Sequence, residues 1–218
     1  MSNEWYSFFP DENVIFLSFE GIEGCGKSTQ IKLLTEYLSM NTDYNVYQFR
    51  EPGGTTFGES LREAMLGSEV KISALSEALL FASSRCQLLE EKVLPLLKTK
   101  KNIIIYDRYF HSSLAYQGFG SNLGHETVTS IHQQYPLTVM PHLTIYLEID
   151  IETSKKRQEI RNQKKDYFES KRDDFYIQLI EGYDHCKKHF PSFKTIDGRQ
   201  DILAVQNEIQ QAVIGLMR

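Results

Sequence analysis

Val14-Ile15-Phe16-Leu17-Ser18-Phe19-Glu20-Gly21-Ile22-Glu23-Gly24-Cys25-Gly26-Lys27-Ser28-Thr29 is the stretch from which the rest of the chain can be ordered. The apolar run at 14–19 predicts a buried strand. From Lys27 onward Ile31, Leu34 and Leu38 recur on one face, which predicts a helix. Between them, residues 21–28 fit G-x-x-x-x-G-K-[ST] at every fixed position, with a strand before and a helix after. A triphosphate needs backbone N–H groups converging on its oxygens, and glycines let the backbone curl that closely. The following helix adds its positive end. Lys27 then reaches the β- and γ-phosphates, and the Ser28 hydroxyl ligates Mg²⁺. Gly21, Glu23, Gly24, Cys25, Gly26, Lys27, Ser28 and Thr29 thus form the expected nucleoside-triphosphate-binding segment. The competing reading, a glycine-rich turn that binds nothing, gives a Lys-Ser pair at a helix start no packing purpose. Cys25 reads as a small filler rather than a nucleophile, since no base stands near it in the sequence.

Outward from this loop, residues 45–49 are a second candidate strand, followed by a loop at Arg50-Glu51-Pro52-Gly53-Gly54. Residues 61–66 read as a short helix and 75–97 as a long one with Pro95 near its end. Residues 102–106 give the clearest buried strand, with Asp107-Arg108 at its carboxyl end. Residues 143–149 are a further strand, Thr195 and Ile196 end a weaker one, and 202–216 form an amphipathic helix. Strands separated by helices need crossover connections, so the expected fold class is α/β. It is a three-layer α/β/α domain with a parallel five-stranded sheet. In such sheets ligands bind outside the carboxyl ends of the strands. The clusters 21–28, 50–54 and 107–108 all follow strands directly, which argues for one shared site.

The 218 residues are 41% hydrophobic and 24% charged, which suits one ordinary globular domain over 1–218. A net charge of −5 argues against a nucleic-acid polymer as partner, but not against a mononucleotide held by a few local cations. Cys25, Cys86 and Cys186 are odd in number and scattered, so no disulfide framework is expected and a reducing compartment fits. Residues 1–12 read as an extension with aromatic residues but no signal-peptide pattern. No stretch approaches the ~18 apolar residues of a membrane span, so a cytoplasmic protein is expected. His185 and His189, four apart, read as a solvated helix face rather than a metal pair.

The Asn-Lys-x-Asp and Asp-x-x-Gly strings of a GTPase do not occur, and the chain is small for a motor or transporter ATPase. Five clusters carry a more specific resemblance: residues 19–29, Arg50-Glu51-Pro52-Gly53-Gly54-Thr55, Leu80-Phe81-Ala82-Ser83-Ser84-Arg85, Asp107-Arg108-Tyr109 and Ser112-Ser113-Leu114-Ala115-Tyr116-Gln117-Gly118. In this order they resemble bacterial-type thymidylate kinases, from residue 16 to about 216. The resemblance implies a P-loop nucleoside monophosphate kinase that moves the γ-phosphoryl group of ATP to dTMP. Phe81 would stack on the thymine ring, a core phenylalanine being the competing reading. Arg85 and Gln117 would contact the base, and Tyr116 would crowd the sugar so as to favour deoxyribose. Ser113 lies in the same substrate-binding segment, and Glu23 would approach the acceptor sugar. Arg108 would bind the acceptor phosphate and Asp107 would act near Mg²⁺, against the alternative of a structural ion pair. Arg50 would add charge unless it pairs with a surface acid, and Pro52 would shape the turn.

Phosphoryl transfer needs in-line alignment and cations rather than covalent help. The resembled family places an arginine in the P-loop or in a mobile lid, and 22–25 contain none. The lid is expected at approximately 152–170, with its basic residues in 155–169. Arg161 is the first choice and Arg157 the second, four apart on one helical face. Many relatives read Asp-Arg-aliphatic-Glu at the lid's end, whereas this chain reads Asp166-Tyr167-Phe168-Glu169. The family also pairs into homodimers, for which faces in 75–97 and 110–114 are the candidates. Two rivals remain: a kinase for another monophosphate such as deoxyuridylate, and a regulatory nucleotide-binding module without catalysis.

Overall fold

The computed structural model describes residues 14–66, 72–161 and 173–217. The expected N-terminal extension, and the lid residues Lys164, Lys165 and Asp166-Tyr167-Phe168-Glu169, lie outside them. In chain order the elements are β1 (Val14–Glu20), α1 (Lys27–Asn41), β2 (Asn45–Arg50), α2 (Thr56–Leu66) and α3 (Ala74–Leu88). A π-helical turn, Leu89–Val93, joins α3 to α4 (Leu94–Leu97). Next come β3 (Asn102–Asp107), α5 (Phe110–Ser113), a second π-helical segment Leu114–Gly120, and α6 (His125–Ile131). The chain continues through β4 (Leu143–Glu148), α7 (Ile151–Arg161), α8 (Asp173–His189), β5 (Phe193–Asp197) and α9 (Ile202–Leu216).

The sheet has five strands in the order β2-β3-β1-β4-β5, all pairs parallel. β1 lies at its centre with every residue buried, because both its faces are covered. The two-residue strand period divides the apolar residues between the faces. Leu17, Phe19, Ile103 and Ile105 join one core with α1 and α9, while Phe16, Ile104 and Tyr106 join a second with α3 and α5. This is the three-layer arrangement expected from the sequence.

Three expectations need correction. α2 starts at Thr56 rather than near 61, because Thr55 caps it: its Oγ1 accepts from the Gly58 N–H at 2.9 Å. The single helix expected over 75–97 is broken by the π turn at Leu89–Val93. Pro95 has no N–H to give to the carbonyl four residues back, so the ladder changes register there. Residues 110–114, a candidate dimer face, are all buried, with Phe110 at 0% and Leu114 at 1% exposure. They belong to the core and offer no surface to a second chain. Among the described residues, no helix is long and apolar enough to cross a membrane.

Candidate active site

The turn after β1 curls as its glycines allow. Gly21 has φ 139°, and a Cβ there would meet the Leu147 carbonyl oxygen at 2.6 Å. Gly26, at the start of α1, has φ 102°, a conformation that side chains rarely adopt. Lys27 is buried, its Nζ donating to the carbonyls of Gly21 at 2.7 Å and Ile22 at 3.4 Å. Cys25 is buried too, its Sγ 3.5 Å from the Lys27 ammonium. α7 leans on this loop: Ser154 Oγ donates to the Glu23 carbonyl at 2.6 Å and Arg157 Nη1 to the Gly24 carbonyl at 3.3 Å.

Arg108 leaves β3 at φ 71°, a left-handed turn that aims its side chain back at the loop. Nη1 donates to the Gly21 carbonyl at 3.0 Å, and Nη2 to Glu23 Oε1 at 2.9 Å. The Tyr116 ring lies under the guanidinium at 4.7 Å, and its hydroxyl also donates to Glu23 Oε1, at 2.6 Å. Glu23 Oε2 is buried with no hydrogen-bond partner among the described residues. Burial works against the charge on Arg108, but Tyr116, Glu23, Tyr183 and Asp107 outweigh it and raise its pKa. Underneath, the fully buried Glu20 holds this turn in place. Its Oε1 accepts from the Tyr109 N–H at 2.8 Å, and its Oε2 from Ser112 Oγ at 2.5 Å and Tyr183 hydroxyl at 3.1 Å. Burial pushes the Glu20 pKa up.

A further wall is built from α3 and the second π-helical segment. Phe81 is half-buried against the core. One turn on, Arg85 is 1% exposed and paired with Glu51 at 2.5 Å. Burial pushes the Glu51 pKa up to about 7 although Arg85 pulls the other way. Arg85 Nη2 also donates to Ser113 Oγ at 3.1 Å. Gln117 Nε2 donates to the buried Glu77 Oε1 at 2.8 Å, which fixes which end of its amide faces away. Pro52 follows a cis peptide bond, and Arg50 donates to Glu59 Oε2 at 2.8 Å, the surface pairing left open by the sequence.

These walls enclose one cavity of about 740 Å³, within the range of small-molecule sites. Every described residue given a named role at the nucleotide site from the sequence lines it except Gly21, which contributes its carbonyl to Lys27 and Arg108. Arg157 and Arg161, at the end of α7, reach the cavity together. Sequence reasoning gave no role to Glu51, Arg62 and Ser112, nor to Gln200 and Ile202 near the start of α9, all of which also line it. Glu51 stood inside a quoted cluster and could have been found there. His185 and His189 lie elsewhere, their rings stacked at 4.0 Å on α8.

Comparison with known proteins gives a consistent picture. The family model described as thymidylate kinase matches residues 19–209. A thymidylate kinase of Thermoanaerobacter sp. (strain X514) is 43% identical over 199 residues, which cover 91% of this chain and 96% of the relative. One from Caldanaerobacter subterraneus subsp. tengcongensis is also 43% identical, covering 91% and 94%. The crystal structure of thymidylate kinase from Ehrlichia chaffeensis superposes with a TM-score of 0.74 at 31% identity, covering 93% of this chain and 99% of that one.

Proposed function

The chain belongs to the thymidylate kinase family, and from that premise we infer how its residues divide the work. The enzyme phosphorylates dTMP with ATP, yielding dTDP and ADP on the way to dTTP. The observation that carries the assignment of roles is one shared cavity, lined both by the phosphate loop and by Phe81, Arg85 and Gln117. Two nucleotides can meet there head to head.

The ATP phosphates lie against the N–H groups of the loop and the start of α1. Lys27 leaves the carbonyls of Gly21 and Ile22 for them, exchanging hydrogen bonds worth about 1 kcal/mol net each for stronger charge-assisted ones. Arg108 holds the dTMP phosphate, so that one of its oxygens attacks the γ-phosphorus in line as the bond to ADP breaks. Phe81 stacks on the thymine, and Arg85 and Gln117 meet its edges. The buried Glu23 Oε2, which has no hydrogen-bond partner among the described residues, accepts from a sugar hydroxyl beside the Tyr116 ring. Arg157 and Arg161 supply the arginine charge that the loop lacks.

Mg²⁺ fits this site as a sparsely held ion. Among the described residues no group of three or more His, Cys, Asp or Glu side chains is set to hold a metal, while Ser28 and Asp107 line the cavity. One hydroxyl and one carboxylate suit a cation that keeps water and nucleotide phosphates as its other ligands. When bound it supplies neutralising charge to the phosphate oxygens. We place the enzyme in the cytoplasm and propose a homodimer that uses the outer face of α3. There Leu75 and Leu79 are 47% and 50% exposed. Sedimentation at the mass of one chain would contradict the dimer.

The decisive assay follows ADP release with ATP, Mg²⁺ and a panel of monophosphates. Turnover should be highest with dTMP, and Lys27→Ala should lose roughly 10²–10³-fold in kcat/KM, the scale of one preorganised charge contact. Preference for a purine nucleotide, or equal turnover in the variant, would refute this reading.

A further inference from the structure

Among the described residues Arg85 stands first in size of the fully buried side chains, and the way it is held is uneven. Nε donates to Glu51 Oε2 at 2.6 Å, and Nη2 lies 2.5 Å from that same oxygen. Glu51 Oε1 has no hydrogen-bond partner among the described residues. Two contacts that end on one atom make a pivot rather than a two-oxygen fork, so they fix distance and leave rotation open. Ser113 Oγ holds Nη2, and the Tyr109 ring supports the guanidinium face at 4.8 Å. The Nη1 end is held by His132, whose Nε2 lies 2.6 Å away.

His132 directly follows α6, 0% exposed, with Phe110 edge-on to its ring at 5.0 Å. Its Nδ1 lies 2.8 Å from the Val128 carbonyl, which can only accept, so Nδ1 carries the proton. Nε2 therefore presents a lone pair to Arg85. Burial, helped by the charge of Arg85, pushes the His132 pKa down to about 3, so the ring stays neutral at pH 7. Of the five guanidinium N–H groups, that on Nε goes to Glu51, one on Nη2 lies against the same oxygen, one goes to Ser113 and one to His132. The remaining one is on Nη1, the nitrogen that His132 holds.

We propose that His132 is a positioning residue for substrate choice: by stopping the pivot at Nη1, it aims the remaining Arg85 N–H at the 4-oxo group of the acceptor pyrimidine. This rests on the reading above that Arg85 contacts the acceptor base. An N–H donor meets a carbonyl oxygen favourably and a 4-amino group unfavourably, so a firmly held donor selects 4-oxo over 4-amino pyrimidines.

The test compares kcat/KM for dTMP with that for 5-methyl-dCMP, which shares the methyl group and differs at position 4. His132→Leu keeps the volume and removes the acceptor. It should lower this ratio roughly tenfold and raise the KM for dTMP, with the KM for ATP unchanged. His132→Gln, whose side-chain oxygen can reach the place of Nε2, should restore most of the ratio. Arg85→Lys, measured alongside, separates the two claims. A lowered ratio in Arg85→Lys with an unchanged one in His132→Leu would overturn the role of His132 alone. An unchanged ratio in Arg85→Lys would overturn the reading of Arg85 itself. Should the leucine variant fail to fold, His132→Asn, whose amide stops one bond short, should give a ratio well below that of His132→Gln; equal ratios would sink the proposal.

Discussion

His111 shows how much one buried side chain can tie stability to pH. It is 2% exposed, its Nδ1 lies 3.2 Å from Thr144 Oγ1, and its Nε2 has no hydrogen-bond partner among the described residues. Burial first, and the charge of Arg85 second, push its pKa down to about 3, against about 6.5 in an unfolded chain. Between those values the unfolded state binds a proton that the native state refuses. The stability His111 contributes is therefore complete above pH 6.5 and is lost as pH falls toward 3, by about 1.4 kcal/mol per unit. Replacing His111 with Leu should remove that dependence. The stability difference between wild type and variant, from urea unfolding, should shift by about 1.4 kcal/mol per pH unit between about pH 6 and 4. Parallel stability curves would show that the native ring titrates normally. Contacts of this kind were invisible in the sequence. Gly21, Lys27 and Arg108 announce themselves by type and spacing around one turn. Glu51 and His132 stand 34 and 47 residues from Arg85, and only the folded topology makes them its partners.

At the scale of elements, the contact between α8 and the segment Leu114–Gly120 sets the place of Tyr116 and Gln117. Gly182 makes that contact close: a Cβ there would meet Ala115 Cα at 2.7 Å and Ala115 Cβ at 3.1 Å. Gly182→Ala sets two effects against each other. Helix propensity favours alanine by about 1 kcal/mol, while overpacking against atoms that cannot yield costs about 1–3 kcal/mol. The nearest atom is backbone, so overpacking should win. Thermal unfolding should fall by about 2–4 °C, and the KM for dTMP should rise as Tyr116 and Gln117 shift. A more stable variant with unchanged KM would show that the segments separate freely. The strands were the legible elements, because residues 14–19 and 102–106 are apolar apart from Ser18 and Asn102 and are buried. The start of α2 and the π turn at Leu89–Val93 were not, since each depends on one hydrogen bond made or withheld, at Thr55 and at Pro95.

Across the whole molecule, charge is distributed against its own sum. The chain carries a net −5, yet seven lysines and arginines line the cavity against three carboxylates. Composition spoke against a nucleic-acid polymer but could not show this concentration, because Arg50, Arg85, Arg108 and Arg157 come together only through the crossovers of the sheet. A positive cleft in an acidic protein attracts phosphates over a distance set by salt. The screening length is about 30 Å at 0.01 M and about 8 Å at 0.15 M ionic strength. Raising chloride salt from about 20 to about 300 mM should therefore increase the KM for dTMP and for ATP several-fold and move kcat less, since the bound nucleotides sit among partly desolvated charges. Uncharged thymidine, used as a competitive inhibitor at the acceptor end, supplies the control. It keeps the contacts proposed for Phe81, Arg85 and Gln117 without the phosphate assigned to Arg108, so its inhibition constant should stay nearly constant over the same range. If thymidine weakened in step with dTMP, salt would be acting on the fold or the base contacts, and the cavity's cations could not be what draws the substrate in.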